Sequence, residues 1–522
     1  MDTSIDREEF AQLNEEGVTV PVRYSLDQDI SPPEAYDILR RFDDTGYSFL
    51  LESAETADID ASSEMQDHGR YSFIGFNPSA VVRTGEGEAS IESLRQEKHD
   101  LSFDQTVEGS SIVSEYDPLD VLRDVSPQAS IEDSCDESRP FEGGLVGFHP
   151  YDMVYDTKPV DVDREDVPQS VFVFADRFLA YDHVEDEMEL VFTSSASESS
   201  AEEYDRIEED AGEVIDALLT EEADIPAEIS ILDRRSGDRE EYEGMVEEVG
   251  EHVEKGDIYQ GVVSRSKEFE ATGDPLTVYE DLRERNPSPY MYFLDFADRT
   301  VLGASPETLV KTRDGKVETN PIAGTVGRGQ SPIDDRRKAG EMLANDKEVA
   351  EHAMLVDLGR NDIKRVSEPG TTEVDELMQV VPYSTVQHLE SIVTGELEEG
   401  KDRFDAMRSV FPAGTLSGAP KVRAMEIIDE QEDEPRNLYG GAVGYYSQTG
   451  AMDSAITIRT MTAEDTEKGF NATVQAGAGI VADSEPGKEF EETEKKMGSI
   501  VESLEAVNGG DKEGVKNTWT CL

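Results

Sequence analysis

The sequence predicts an α/β fold of the α+β type with antiparallel sheets, and three observations carry that prediction. First, residues 18–195 are filled with short runs such as "GVTVPVRYSL", "YSFLLES", "RYSFIGF", "SAVVRT", "GGLVGF" and "VFVFADRFLAY", which have the content and spacing of strands. Second, "GGAVGYYS", "SAITIRTM" and "FNATVQAGAGIV" follow one another near the C-terminus as the strands of a meander. Third, helical patterning is kept apart from these runs, at 242–253, 335–365 and in "EETEKKMGSIVESLEAV".

Taken in order, "SPPEAYDILRRF" reads as a helix opened by Ser31 with proline in its first turn. Residues 85–140 are acidic and weakly patterned. Residues 196–230 are rich in Ser, Glu and Asp around one amphipathic helix. The expected organisation is a strand-rich domain over 1–195, an acidic connecting region over 196–239, a second domain over 240–505 and a patternless tail over 506–522. In the second domain Tyr242, Met245, Val246, Val249 and Val253 mark one helical face and "DIYQGVVSRSKEF" follows as a strand. The stretches "GGLVGFH" and "GGAVGYY" echo each other, which suggests similar glycine-kinked strands in both halves.

A formal charge of −71, from 118 Asp and Glu against 47 Lys and Arg, would repel nucleic-acid phosphates and anionic membranes. Neither is expected as a partner. With 36% hydrophobic residues and 37 Tyr and Phe (18 and 19) spread along the chain, the acidity belongs to folded domains in concentrated salt, a halophilic pattern, and not to disorder. Cys135 and Cys521 make no metal or redox spacing, and no run of 18 apolar residues occurs. The N-terminal "MDTSIDREEF" lacks a basic and an apolar region, so a cytoplasmic location is expected.

Two acidic pairs have the spacing to present carboxylates on one helix face: Glu348 with Glu351, and Glu489 with Glu492. In so acidic a chain the spacing fits a solvated face as well as a Mg²⁺ site; the apolar run "AMLVDL" after the first pair draws at least one carboxylate toward a buried surface. Gly477 and Gly479 in "QAGAGIV" leave room for a ligand against the backbone or for a tight turn. "NPIAGTVGRG" lacks the GK[ST] ending of a P-loop, which argues against a nucleotide phosphate. In "SAITIRT" a period of two puts Ala455, Thr457 and Arg459 on one face; if covered, that arginine needs an anion. His388 alone reads as a packed or surface residue more readily than as a catalytic one. No Cys–His frame for glutamine hydrolysis is present, so any nitrogen chemistry must take ammonia from elsewhere.

Together, "GDIYQGVVSR", "ASPETLV", "NPIAGT", "KEVAEHAMLVDLGRND", "HLESIVTGEL", "FPAGTLSGAPKVRAMEII", "YGGAVGY", "ITIRT", "QAGAGIVADS" and "EETEKK" closely resemble, in order, the chorismate-utilising enzyme family. "LLES", "GRYSFIG" and "GGLVGFHPYDMV" resemble its anthranilate synthase component I branch. The resemblance implies large antiparallel β-sheets packed face to face with helices outside, and a lyase of tryptophan biosynthesis. It implies Glu351 and Glu492 as Mg²⁺ ligands with Glu348 and Glu489 nearby. It places Arg459, Tyr439 and the backbone of Gly477, Ala478 and Gly479 at the enolpyruvyl carboxylate of chorismate, and Gly324 and Thr325 at the ring.

By the same resemblance Glu307 is the general acid, Thr415 is a further catalytic residue, and His388 takes part in the loss of pyruvate. Gln260 stands where water-adding relatives carry a lysine, and Ala323 where aminodeoxychorismate-forming relatives carry one; neither can act as that base or nucleophile, which favours direct addition of ammonia. Glu52 and Ser53, with Pro289, Tyr290 and Met291, resemble a feedback site for tryptophan. The implied partner is a glutamine amidotransferase subunit, component II, in a heterotetramer. "GTVGRG" departs from the "GTRPRG" of many members, a change expected to affect loop rigidity. The alternatives are an aminodeoxychorismate synthase, an isochorismate or salicylate synthase, and a noncatalytic tryptophan sensor. Gln260 speaks against the water-adding pair, and the intact Glu307, Glu351 and Glu492 against the sensor.

Overall fold

The computed structural model describes residues 3–15, 19–54, 69–85, 88–95, 117–126, 139–160, 168–194, 200–384 and 386–509. Cys135, Cys521, most of the acidic 85–140 stretch and residues 510–522 of the tail lie outside the described residues.

Local rules set the elements. Ser31 caps the Pro32–Leu39 helix through a reciprocal bond with Glu34 and two prolines fill its first turn. The 335–365 pattern resolves into two helices, Pro332–Leu343 and Asp346–Lys364, capped by Ser331 and Asn345. The run "VFVFADRFLAY" forms two strands, Ser170–Ala175 and Arg177–Asp182, broken at Asp176 because they belong to different sheets.

Two large antiparallel sheets result. The first runs, edge to edge, through Val20–Leu26, Glu187–Ser194, Arg177–Asp182, Tyr71–Gly75, Tyr47–Glu52, Tyr290–Phe296, Arg299–Ser305, Thr460–Thr466, Gly469–Ile480, Gln260–Thr272 and Ser230–Ser236. The second runs through Ile322–Gly327, Val386–Glu396, Lys316–Thr319, Thr308–Arg313, Met452–Ile456, Ala442–Ser447, Gly144–His149, Ser170–Ala175, Ala80–Gly85 and Glu88–Ser93. Each sheet therefore joins a block of strands from before residue 196 to a block from beyond it, meeting at Tyr47–Glu52 with Tyr290–Phe296 in the first and at Gly144–His149 with Ala442–Ser447 in the second. Within residues 196–239, the Ser200–Thr220 helix buries Tyr204, Ile207, Val214 and Leu218 against the first sheet.

The sheets face each other across an aromatic layer in which Phe49, Phe73, Phe178 and Tyr292 of the first meet Val146, Phe148 and Tyr445 of the second. Helices cover both outer faces. Pro275–Arg285 and Pro486–Ala506 lie on the first sheet, and Asp346–Lys364 and Arg403–Val410 on the second. The echoing strands Gly144–His149 and Ala442–Ser447 are direct neighbours, with Gly147 opposite Gly444. A side chain at either glycine would run into a backbone carbonyl, that of Val171 or of Asp453.

The expected C-terminal meander is divided. The strand read through "SAITIRTM" stops at Ile456 in the second sheet and restarts at Thr460 in the first. Thr457, Ile458 and Arg459 make the crossing, Arg459 in a left-handed conformation at φ 49°. A strict period of two therefore cannot assign the face of Arg459. A second crossing, between Arg299–Ser305 and Thr308–Arg313, carries Glu307. The two crossings are laced together: Ala304 N–H donates to Arg459 O at 3.1 Å, Ile456 N–H to Glu307 O at 3.0 Å and Ser305 Oγ to Ile456 O at 2.7 Å.

Candidate active site

These crossings place Glu307 and Arg459 together where the sheets part. Glu307 is 6% exposed; Thr415 Oγ1 donates to its Oε1 at 3.1 Å. Burial raises the Glu307 carboxyl to about 8, with nearby Glu390 pushing the same way, while Thr415, the Ile322 N–H and Lys496 pull it down less strongly. It is thus an acid that still carries its proton at neutral pH. The Arg459 guanidinium makes no hydrogen bond to another described residue, and burial lowers its pKa although the Glu307 charge opposes this.

Beside them, Thr325 and His388 face each other across the Ile322–Gly327 and Val386–Glu396 strands, Thr325 Oγ1 lying 2.9 Å from His388 Nδ1. Burial and the Arg459 charge hold His388 down to about 4, so the imidazole is neutral at pH 7. Gly324 has φ 73°, which favours glycine, and a Cβ there would stand 3.1 Å from Glu348 Oε2.

Glu348 and Glu351 lie in the first two turns of the Asp346–Lys364 helix, where the helix dipole favours anions. Gln260 Nε2 donates to Glu351 Oε1 at 3.1 Å and sits over Gly479, where a Cβ would come within 2.2 Å of that nitrogen. Glu489 and Glu492 occupy the first turns of Pro486–Ala506. Burial raises Glu351, and the charges of Glu348 and Glu492 add to it; burial and Glu492 raise Glu489. The two acidic pairs thus sense one another across the cleft. Among the described residues no three His, Cys, Asp or Glu side chains converge to hold a metal by themselves. A cation that binds through few carboxylates and several waters, as magnesium does, fits this spread-out donor set.

Gly477, Ala478 and Gly479 pair with Ser264, Val263 and Val262 in the Gln260–Thr272 strand. Tyr439 is buried beside them, and a Cβ on Gly477 would stand 2.8 Å from its hydroxyl. The sequence-predicted catalytic, substrate and metal residues therefore gather around one cleft.

A second cavity, of about 70 Å³, opens between the sheets. All five predicted residues, Glu52, Ser53, Pro289, Tyr290 and Met291, line it with Lys311, Arg313 and Asp453, and Tyr290 OH donates to Asp453 Oδ1 at 2.9 Å. Glu52 and Met291 are register partners in neighbouring strands. Met291 packs into the core on the outer, helix-covered face, and the Glu52 carboxylate accepts from Tyr279 OH at 2.8 Å and from Arg283 at 2.6 Å on that same side.

Residues 65–502 match the family model of the chorismate binding enzymes. The chain belongs to that family. Within it, the chain is 47% identical to a protein named anthranilate synthase component 1 2 from Haloarcula marismortui, covering 98% of this chain and 97% of the relative. It is 45% identical to anthranilate synthase component 1 from Haloferax volcanii, covering 97% and 98%. The crystal structure of anthranilate synthase component I from Streptococcus pneumoniae superimposes with a TM-score of 0.70 at 36% identity, covering 85% of this chain and 93% of that one. The sheet-on-sheet architecture expected of the family is the one observed. No helix among the described residues is long and apolar enough to cross a membrane.

Two parts of this chorismate-family site escaped the sequence reading. Lys496 donates to Gly477 O at 2.9 Å and pairs with Glu492 at 2.8 Å, placing a cation between the glycine strand and the acidic helix face. Its signal was present in the i, i+4 spacing from Glu492. Glu390, buried and pushing Glu307 upward, is paired in register with Ile322, whose N–H serves Glu307. Only the pairing of two strands reveals it.

Proposed function

We propose that the chain is the aminating subunit of an anthranilate synthase, converting chorismate and ammonia to anthranilate, pyruvate and water. The observation that carries this is a protonated, buried Glu307 beside Arg459 in a cleft where Gln260 and Ala323 supply neither a base for water nor a nucleophile. Near-full-length identity to proteins named anthranilate synthase component 1 supports it.

Arg459, Tyr439 and the Gly477–Gly479 backbone hold the enolpyruvyl carboxylate, while Gly324 and Thr325 border the ring. Glu307 gives its proton to the departing hydroxyl as the ammonia nitrogen bonds to the ring; the nitrogen then releases one proton, so the net change is amine for hydroxyl with loss of water. In the second stage the ring loses a proton, the bond to the enolpyruvyl oxygen breaks, and the methylene carbon gains a proton to give pyruvate. His388, neutral at pH 7, would accept a proton in that stage. Glu351 and Glu492 would hold Mg²⁺, with Glu348 and Glu489 on its waters; when bound, the ion supplies positive charge to the ring carboxylate.

The inter-sheet cavity is the proposed tryptophan site. Its apolar walls at Pro289 and Tyr290 suit an indole, and Lys311, Arg313 and Asp453 offer both charges an amino acid needs. Glu52, already engaged by Arg283, would act on the amino group only by giving up that partner. Ammonia would come from a component II glutaminase in a heterotetramer, in a salt-rich cytoplasm.

The test incubates the pure chain with chorismate, Mg²⁺ and an ammonium salt in concentrated KCl. Fluorescent anthranilate is the expected product; isochorismate, salicylate or aminodeoxychorismate contradicts the proposal.

A further inference from the structure

We infer that the buried Glu432–Arg436 ion pair is a positioning unit that keeps the carboxylate-binding and proton-donating parts of the cleft in register, a reading that rests on the function proposed above. Arg436 is 2% exposed. Its Nε donates to Glu432 Oε2 and its Nη2 to Glu432 Oε1, both at 2.7 Å; Nη2 also reaches Val262 O at 2.6 Å and Nη1 reaches Leu416 O at 2.7 Å. Glu432 Oε1 in turn accepts the Ser264 N–H at 2.8 Å and its hydroxyl at 2.9 Å. The guanidinium stacks 4.6 Å from the Tyr151 ring and 5.6 Å from that of Tyr439.

Each of these bonds ends at the site or one step from it. Leu416 follows Thr415, the donor to Glu307. Val262 and Ser264 stand opposite Gly479 and Gly477. Tyr439 carries the hydroxyl that lies against Gly477. One rigid fork thus bonds the short Gly414–Ser417 helix to the Gln260–Thr272 strand, the register partner of the glycine strand, and lies against the Tyr439 ring. A buried pair of charges is costly to desolvate, and apolar residues of similar size often do as well for stability. What they cannot supply is directional bonds to two separate backbone segments, at Leu416 and at Val262 and Ser264, and a displacement of about 1 Å at a reacting centre can cost on the order of a hundredfold in rate.

The experiment compares wild type with Arg436→Lys and with the double variant Glu432→Leu/Arg436→Met, in concentrated KCl with chorismate, Mg²⁺ and ammonium chloride, recording melting temperature, KM, kcat and pH profile. The double variant is expected to melt within about 5 °C of wild type. Its kcat/KM should fall at least about tenfold, with most of the loss in the KM for chorismate. Arg436→Lys, which keeps the charge but not the fork, should show the same KM effect and a basic limb displaced to higher pH as Thr415 loosens from Glu307. A folded variant that keeps the wild-type KM and pH profile overturns the assignment whatever its melting temperature. Wild-type turnover with indifferent variants leaves the proposed function standing and removes the positioning role; no wild-type turnover of chorismate removes both.

Discussion

Thr415 Oγ1 donates to Glu307 Oε1 at 3.1 Å, joining the Gly414–Ser417 helix to the crossing that carries the acid. Because a donated hydrogen bond stabilises the charged carboxylate, the hydroxyl lowers a pKa that burial raises, leaving it at about 8. Thr415→Val should therefore move the basic limb of the rate profile to higher pH while lowering kcat roughly three- to tenfold. An unmoved limb would show that this contact does not tune the acid.

Glu307 itself links activity to stability. Its folded pKa of about 8 lies above the roughly 4.3 of an unfolded glutamate, so the native state holds a proton the unfolded chain has released. Its contribution to stability is thus greatest below about pH 4, falls as pH rises toward 8, and is level beyond. Glu307→Gln cannot ionise, and calorimetry at pH 8.5 should find it more stable than wild type, although turnover drops about 10²–10⁴-fold. A variant less stable than wild type at that pH contradicts the buried, protonated acid.

The acidic pairs predict a metal dependence. Glu492→Gln should abolish turnover through lost Mg²⁺ binding, and Glu351→Gln should weaken binding in the same way. Since burial and Glu348 raise the Glu351 carboxyl, Mg²⁺ affinity in wild type should fall as pH drops and that carboxylate protonates. Titration calorimetry reads the affinity directly; unchanged binding in both variants removes them from the site.

Ser53→Phe places an aromatic ring in the inter-sheet cavity. Tryptophan should raise the melting temperature of wild type and inhibit it, and should do neither to the variant. Equal inhibition of the two proteins would place the tryptophan site elsewhere.

Much of this was legible in the sequence because it depends on local pattern. Strand runs, capped helices and the Glu348/Glu351 and Glu489/Glu492 spacings survive as read. What failed was continuity: "SAITIRT" looks like one strand, but the chain leaves one sheet for the other at Thr457–Arg459, a long-range choice that local alternation does not encode. The same limit hid Glu390 and the Glu432–Arg436 fork, whose partners are distant in sequence. It hid as well the bond from Arg283 to Glu52, 231 positions apart.

The most direct test of the central claim supplies ¹⁵N-ammonium chloride and chorismate to the Mg²⁺-loaded chain and follows the products by mass spectrometry. The account predicts anthranilate carrying one ¹⁵N and an equal amount of pyruvate. An unlabelled hydroxylated product, or a labelled product that retains the enolpyruvyl group, would contradict it.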